Sequence, residues 1–198
     1  MDVGSYTAGD GSVNVGYRPA MTWVMGDHGS WPDYAAFALD GVSNSFDFNF
    51  GDGSNDYIGS FNATGFNIGS DLNNGSNVYY YATFKDDTDV TESTYTGNAT
   101  DGKEVTGPGA QPHFVISKSG TNENGWFRTP SFAANESAKF NASSAASNAI
   151  TSFTSDGFTL GTNSEVNGSS KTLYYFASKG GGLLPVELIY FRASKEGK

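Results

Sequence analysis

The sequence contains nearly the same segment twice, with the two copies roughly 92 residues apart. Apolar residues, serines and glycines recur in the same order, as Ile58, Ser60, Phe61, Gly65, Phe66, Ile68 and Gly69 and again as Ile150, Ser152, Phe153, Gly157, Phe158, Leu160 and Gly161. An aromatic run at 79–82 returns in the same way at 174–177. Solenoid repeats are shorter than this, so each copy is expected to be a small domain or half of a pseudo-symmetric one.

The composition favours strands over helices. Only 16% of the 198 residues are charged, and glycine, serine, threonine and asparagine fill the gaps between aromatic runs, which is typical of short strands joined by many turns. We therefore predict an all-β protein of two tandem antiparallel β-sandwich units, jelly-roll or immunoglobulin-like, that arose by internal duplication. The predicted boundaries are 1–88 for the first unit, 89–179 for the second, and 180–198 for a C-terminal apolar strand or arm.

Individual segments support this assignment. Tyr6 and Tyr95 lie in short segments that we interpret as equivalent first strands, and apolar runs after Pro19 and Pro112 are typical of strands buried on both faces. Gly65 and Gly157 are expected to adopt a turn with positive φ.

Strict alternation of phenylalanine with polar residues occurs at Phe46, Phe48 and Phe50, which predicts a strand with one apolar face. In the second copy we place its counterpart at 143–148. That segment lacks the alternation and is expected to be a loop or a short helical turn.

Charge and cysteine content exclude several functions. A net charge of −10 argues against nucleic acid as a partner, because phosphate binding needs a positive surface. The chain has no cysteine, so disulfides and thiolate metal sites are excluded. Residues 2–5 form neither a basic nor an apolar signal region, and no segment is long and apolar enough to span a bilayer, so we expect neither Sec-type export nor membrane insertion.

No residue pattern points to catalysis or to a cofactor. His28 and His113 occupy non-equivalent positions outside any metal or nucleophile motif. The segment 52–56 resembles part of a calcium loop but lacks the terminal bidentate glutamate, which favours a plain Asx-rich turn, and Asp86, Asp87 and Asp89 form a short linker. Asp47, Asp52, Asp56 and Glu123 could supply paired carboxylates for glycoside hydrolysis, but no spacing fixes their separation. We assign no catalytic, cofactor-binding or metal-binding residue and predict that the protein is not an enzyme.

The three tryptophans permit two interpretations. Trp23, Trp31 and Trp126 could form a platform on which sugar rings stack, or they could fill the core. Core filling is favoured, because Trp23 lies in an apolar run while Trp31 and Trp126 occupy roughly corresponding places in the two copies.

The C-terminal segment has no counterpart in the first copy. Three glycines at 180–182 lead into an apolar stretch whose side chains are candidate assembly contacts, namely Leu183, Leu184, Val186, Leu188, Ile189, Tyr190 and Phe191. This stretch can form a final strand within its own domain, or it can act as an arm that adds a strand to a neighbouring subunit.

The second copy resembles a repeat found in tail-fibre and other virion proteins of tailed bacteriophages. The resemblance is carried by the apolar run after Pro112, by Trp126 with Arg128 and Thr129, and by the segments 150–167 and 174–177, including the Gly-Phe-Thr-Leu-Gly motif at 157–161. It covers most of 93–179 and, more loosely, 4–85.

The resemblance implies β-sandwich modules without catalytic residues. It leads us to expect a non-enzymatic structural protein of the virion, assembled in the host cytoplasm as a capsid decoration protein or head fibre. The expected partners are other copies of the chain and other virion proteins, such as the major capsid protein or tail components. The alternative is a tail-fibre, receptor-binding or carbohydrate-binding module that recognises host-surface glycans.

Overall fold

The structure is a computed structural model that describes residues 1–26, 35–48, 56–140 and 144–179. Strands dominate these residues, and the helical elements are a 3-10 turn at Ser70–Leu72 and the short helix α1 at Ser164–Asn167. The strands before residue 89 are β1 Asp2–Thr7, β2 Ser12–Asn14, β3 Pro19–Gly26, β4 Ala35–Leu39, β5 Ser45–Asp47, β6 Ile58–Asn62, β7 Gly65–Ile68 and β8 Val78–Lys85. The later strands are β9 Val90–Thr96, β10 Lys103–Thr106, β11 Phe114–Ser119, β12 Trp126–Arg128, β13 Glu136–Lys139, β14 Ala146–Ser147, β15 Ile150–Thr154, β16 Gly157–Leu160 and β17 Thr172–Ser178.

The two halves of the chain have the same strand order. The first half forms a large sheet, β1-β8-β3-β4-β5, and a small sheet, β2-β7-β6. The second half forms a large sheet, β9-β17-β11-β12-β13-β14, and a small sheet, β10-β16-β15. Among the described residues these orders agree position by position, apart from the edge strand β14. All pairs between these strands are antiparallel, so the predicted all-β antiparallel class is confirmed.

The pairing register corrects the alignment of the aromatic runs by one residue. Tyr6 lies opposite Tyr79, and its counterpart Tyr95 lies opposite Leu173. Tyr79 is therefore equivalent to Leu173 and not to Tyr174. A shift of one residue moves a side chain to the other face of the sheet. Alignment of the aromatic runs by residue type alone would therefore assign these rings to the wrong face.

Three hydrophobic clusters show how the sheets are stacked. In each half, one cluster lies between the large sheet and its own small sheet; Phe66 and Tyr79 belong to the first, and Phe158 and Tyr175 to the second. The third cluster joins the two large sheets and combines first-half residues with Phe114, Ile116 and Phe176, among others. The described strands therefore form four layers, with the two large sheets face to face in the middle.

The predicted boundary at 88/89 falls in the turn between β8 and β9, and the shared core connects the halves on either side of it. Strands β1 and β9 occupy equivalent edges of the two large sheets, and each pairs with a single named strand.

The alternating phenylalanines are placed as predicted where the structure describes them. Phe46 and Phe48 are buried in the shared core, while Phe50 lies outside the described residues. Their counterpart in the second half is β13 and not the segment 143–148, because Phe37 opposite Phe46 corresponds to Phe127 opposite Ala138. The sequence comparison missed this strand because an alanine occupies the position of Phe46.

The polar side chains that recur in the two halves form hydrogen bonds that stabilise the fold. The Tyr6 hydroxyl donates to the Leu72 carbonyl at 2.8 Å, and the Tyr95 hydroxyl donates to the Val166 carbonyl at 2.7 Å. Burial raises the pKa of both tyrosines, which keeps their hydroxyls protonated as donors.

A second recurring bond joins a serine to the start of a strand. The Ser45 hydroxyl accepts a hydrogen bond from the Ile58 N–H at 3.1 Å, and the Ser137 hydroxyl accepts the equivalent bond from the Ile150 N–H at 3.1 Å. These bonds satisfy the buried backbone N–H of the first residue of β6 and of β15.

The paired glycines are required by a close approach of two strands. A Cβ atom on Gly65 would overlap the Val13 carbonyl oxygen, and one on Gly157 would overlap the Val105 carbonyl oxygen. Gly157 has the expected positive φ of 152°, but Gly65 does not, so the turn explanation was wrong for Gly65. In both copies the missing side chain lets the small-sheet strands pair.

Candidate functional site

The C-terminal candidates Leu183, Leu184, Val186, Leu188, Ile189, Tyr190 and Phe191 lie outside the described residues. The same holds for His28, Trp31 and Asp52. His113 is exposed just before β11, and its backbone N–H donates to the Ser178 carbonyl at 2.7 Å. Asp87 accepts a hydrogen bond from the Asp89 N–H at 2.9 Å, which is the geometry expected of an Asx turn.

The described tryptophans belong to the core. Trp126 is fully buried, and Trp23 packs edge-on against Phe48 and Phe84 in the shared core. Neither indole is placed to stack on a sugar. The register also shows that Ala36, and not Trp31, corresponds to Trp126, because β4 and β12 pair equivalently with β3 and β11.

A polar cluster surrounds the indole edge of Trp126, and we call these four residues the Glu165 cluster: Asn124, Trp126, Lys139 and Glu165. One carboxylate oxygen of Glu165 accepts a hydrogen bond from Asn124 Nδ2 at 2.7 Å. The other accepts from Trp126 Nε1 at 2.8 Å and pairs with Lys139 Nζ at 2.9 Å. The Lys139 ammonium also lies over the Trp126 ring, 5.1 Å from its centroid.

Sheet register explains why these residues meet. Trp126 at the start of β12 lies directly opposite Lys139 at the end of β13. Asn124 lies two residues before Trp126, in the segment that leads into β12, and its buried side chain bonds the same carboxylate. The third partner comes from α1, where Asn163 accepts a hydrogen bond from the Glu165 N–H at 2.9 Å and thereby fixes the start of this helix.

Glu165 is ionised in this environment. Burial alone would raise the pKa of its carboxyl group, but hydrogen bonds from Lys139, Asn124 and Trp126 outweigh this effect and lower the pKa below its ordinary value. Asn124 is buried to 1% exposure and Trp126 is inaccessible, whereas the side chains of Lys139 and Glu165 remain 27% and 19% exposed. The site is therefore closed on its amide and indole side and open to solvent at the ion pair.

A second charged network lies beside this cluster. Lys118 is fully buried, and its Nζ donates to the carbonyl oxygens of Glu123 at 2.6 Å and Thr121 at 3.1 Å. The Glu123 carboxylate pairs with Lys171 and accepts a hydrogen bond from the Ser119 hydroxyl at 2.7 Å. Glu123, a carboxylate singled out from the sequence, is therefore committed to an ion pair that joins the β11–β12 loop to the start of β17.

Among the described residues, the Glu165 cluster occurs in the second half only. By register, Ala36 replaces Trp126 and Asp47 replaces Lys139 in the first half. The repeat thus preserves the scaffold, while this cluster is specific to the second half. Sequence reasoning missed it, because lysine, glutamate and asparagine separated by up to 41 positions carry no local motif.

Among the described residues, Glu92 is the carboxyl group whose pKa is raised most. It lies on β9, partly buried on the face directed at the first half. Burial, followed by the negative charges of Asp86 and Asp40, raises its pKa to about 7. Asp40 itself is paired with Arg18 through two bonds of 2.6 Å, which lower its pKa.

The described residues contain no group of three or more His, Cys, Asp or Glu side chains arranged to hold a metal ion. Among them, no helix has the length and apolar character needed to cross a membrane.

The sequence matches no protein-family model, and neither curated proteins nor solved structures show a significant match to it.

Proposed function

We propose that this chain is a non-enzymatic structural protein of a bacteriophage particle, acting as a capsid decoration protein or head fibre. The main support for a structural role is that the recurring polar side chains form hydrogen bonds within the fold. Tyr6 and Tyr95, like Ser45 and Ser137, make the same scaffold bond in each half. Side chains that recur for such contacts serve the fold itself. The phage context is supported by the sequence resemblance of 93–179 to virion repeats.

The layered architecture suits this role. A core shared by the two large sheets makes the described part of the chain a single block, and the net charge of −10 provides an acidic exterior. Assembly would use the apolar residues of 183–191, together with the exposed face shared by β1 and β8. There, Val3, Val78 and Tyr80 are 54%, 39% and 38% exposed, respectively. Partners would be further copies of this chain and the major capsid protein.

Quantitative mass spectrometry of purified particles tests this proposal. The decoration role predicts a copy number comparable to that of the major capsid protein, whereas a few copies per particle would indicate a tail component. Absence of the chain from particles would refute a virion role.

Deletion of 180–198 tests the assembly contacts separately. The truncated chain should keep its β circular dichroism spectrum but should no longer form oligomers or bind capsids. Loss of the fold would show instead that the segment is a strand of its own domain. Unchanged assembly would remove residues 183–191 from the interface.

A second candidate is a receptor-binding or carbohydrate-binding module on the tail. It is favoured by exposed Tyr80, whose ring is the large aromatic group most accessible among the described residues. Glycan-array binding by the full chain that is lost in Tyr80→Ser but retained in Val78→Ser would support this function. Binding that neither substitution affects would exclude this ring as the platform.

A further inference from the structure

The Glu165 cluster places an amine, a carboxylate and a primary amide in one chain of contacts. Lys139 Nζ lies 2.9 Å from one oxygen of the Glu165 carboxylate, and Asn124 Nδ2 lies 2.7 Å from the other. The carboxylate therefore bridges a nucleophile and the nitrogen of an amide leaving group. A carboxylate in this position can carry protons between the two nitrogens during transfer of the asparagine acyl group to lysine.

We propose that Lys139 and Asn124 form an intramolecular isopeptide bond, with Glu165 as the catalytic proton carrier. The Glu165 carboxylate removes a proton from the Lys139 ammonium, and the free amine attacks Cγ of Asn124. A bond between Nζ and Cγ forms, the bond between Cγ and Nδ2 breaks, and Glu165 returns the proton to Nδ2, which leaves as ammonia. Nζ loses two protons in all; the second passes through Glu165 to ammonia, giving ammonium. The step needs no oxidant, reductant or external co-reactant.

The surroundings favour this reaction over a simple ion pair. The indole of Trp126 covers one side of the Lys139 ammonium and anchors Glu165 through its N–H. The amide of Asn124 is withdrawn from solvent, which limits competing hydrolysis. Lys139 lies directly opposite Trp126, and Asn124 precedes Trp126 by two residues. The Glu165 carboxylate binds both side chains and so holds the amine close to the amide.

The bond would close a short loop between neighbouring strands in a chain that has no cysteine. It would supply the covalent cross-link that disulfides give other β-sandwich proteins. The inference does not depend on a virion role, because it concerns one folded chain.

Intact-mass spectrometry of the purified, folded chain gives the first test. The isopeptide bond predicts a loss of one ammonia, about 17 Da. After trypsin digestion, the peptide 119–128 should be joined to 129–171, since a modified Lys139 is no longer a cleavage site. A folded protein with its full mass and separate peptides would overturn the proposal. Linkage to any lysine other than Lys139 would overturn the assignment.

A succinimide at the Asn124–Gly125 bond would also lose ammonia, and the peptide map separates the two products. A succinimide leaves the peptides unjoined and forms equally in Lys139→Arg. The cross-link is absent from that variant, so joined peptides in Lys139→Arg would overturn the assignment.

Variants of the cluster test the assigned roles. Glu165→Gln should fold, as judged by circular dichroism, but its intact mass should show no loss of ammonia from Asn124. Lys171→Arg serves as the matched control, because Lys171 belongs to the neighbouring network and should leave the cross-link complete. If Glu165→Gln becomes cross-linked at the wild-type rate, Glu165 is not the proton carrier. If Glu165→Gln does not fold, Glu165→Asp provides the same readout through a slower reaction.

Discussion

Replacing Phe84 with alanine tests whether the two halves of the chain unfold as one unit. Phe84 is 1% exposed, and its ring lies 5.0 Å from that of Phe176 in the other half and 6.4 Å from that of Trp23. Removing a buried phenylalanine costs about 3 to 5 kcal/mol, including the cavity that it leaves. For a chain of this size, we expect the melting temperature to fall by roughly 6 to 20 °C.

Hydrogen exchange followed by mass spectrometry shows where that free energy is lost. If the halves unfold together, the slowest amides of β17 and β11 should exchange roughly 100- to 4000-fold faster, although the substitution is in the first half. Phe66→Ala is a more demanding test of cooperative unfolding. Phe66 is equally buried but belongs to the core between the first half's own two sheets. Wild-type exchange of the β17 amides in Phe66→Ala, with faster exchange in the first half, would refute cooperative unfolding.

Three other substitutions test individual contacts. The folded-state pKa of Glu92 is raised to about 7, so protonated Glu92 stabilises the fold fully below about pH 4.5, and this stabilisation is lost as the pH rises through 7. Glu92→Gln should therefore reduce the loss of stability over that pH range by about 1 kcal/mol after solvent screening, seen as a smaller fall in melting temperature. An unchanged profile would contradict the burial of this carboxyl group. Gly157→Ala should cost about 1 to 3 kcal/mol in chemical denaturation, whereas Gly11→Ala, with open space around it, should cost far less. Ser137→Ala leaves the Ile150 N–H unpaired and should lose about 1 to 3 kcal/mol; retention of wild-type stability would show that this bond is dispensable.

The strands were predictable because local patterns determine them. Alternation at Phe46 and Phe48 identified a strand whose apolar side is buried, and the tyrosines at 6 and 95 identified equivalent first strands. These patterns depend on which face of a strand a side chain occupies, and that is fixed by the period of two. The recurring Gly65 and Gly157 were also found from sequence, but the reason for Gly65 was not, since only the structure shows the carbonyl that passes over it.

The shared core could not be predicted in the same way. The apolar runs after Pro19 and Pro112 indicated strands buried on both faces, and the structure shows β3 and β11 covered in this manner. Sequence does not say what covers the second face, because any apolar sheet could do so. Tandem sandwiches imply separate cores, whereas the packing of Phe84 on Phe176 joins the two halves through their large sheets.

The Glu165 cluster was beyond the reach of sequence reasoning for a different reason. Its geometry needs the register that sets Trp126 opposite Lys139, and it also needs the cap at Asn163 that positions α1. The first half repeats the strands and the turn but carries alanine and aspartate at the two sheet positions. Since both halves fold to the same strand order, the scaffold does not require the cluster. A partly buried ion pair that the fold can do without needs another reason to be present, and a covalent bond between the lysine and the asparagine that share its carboxylate supplies one.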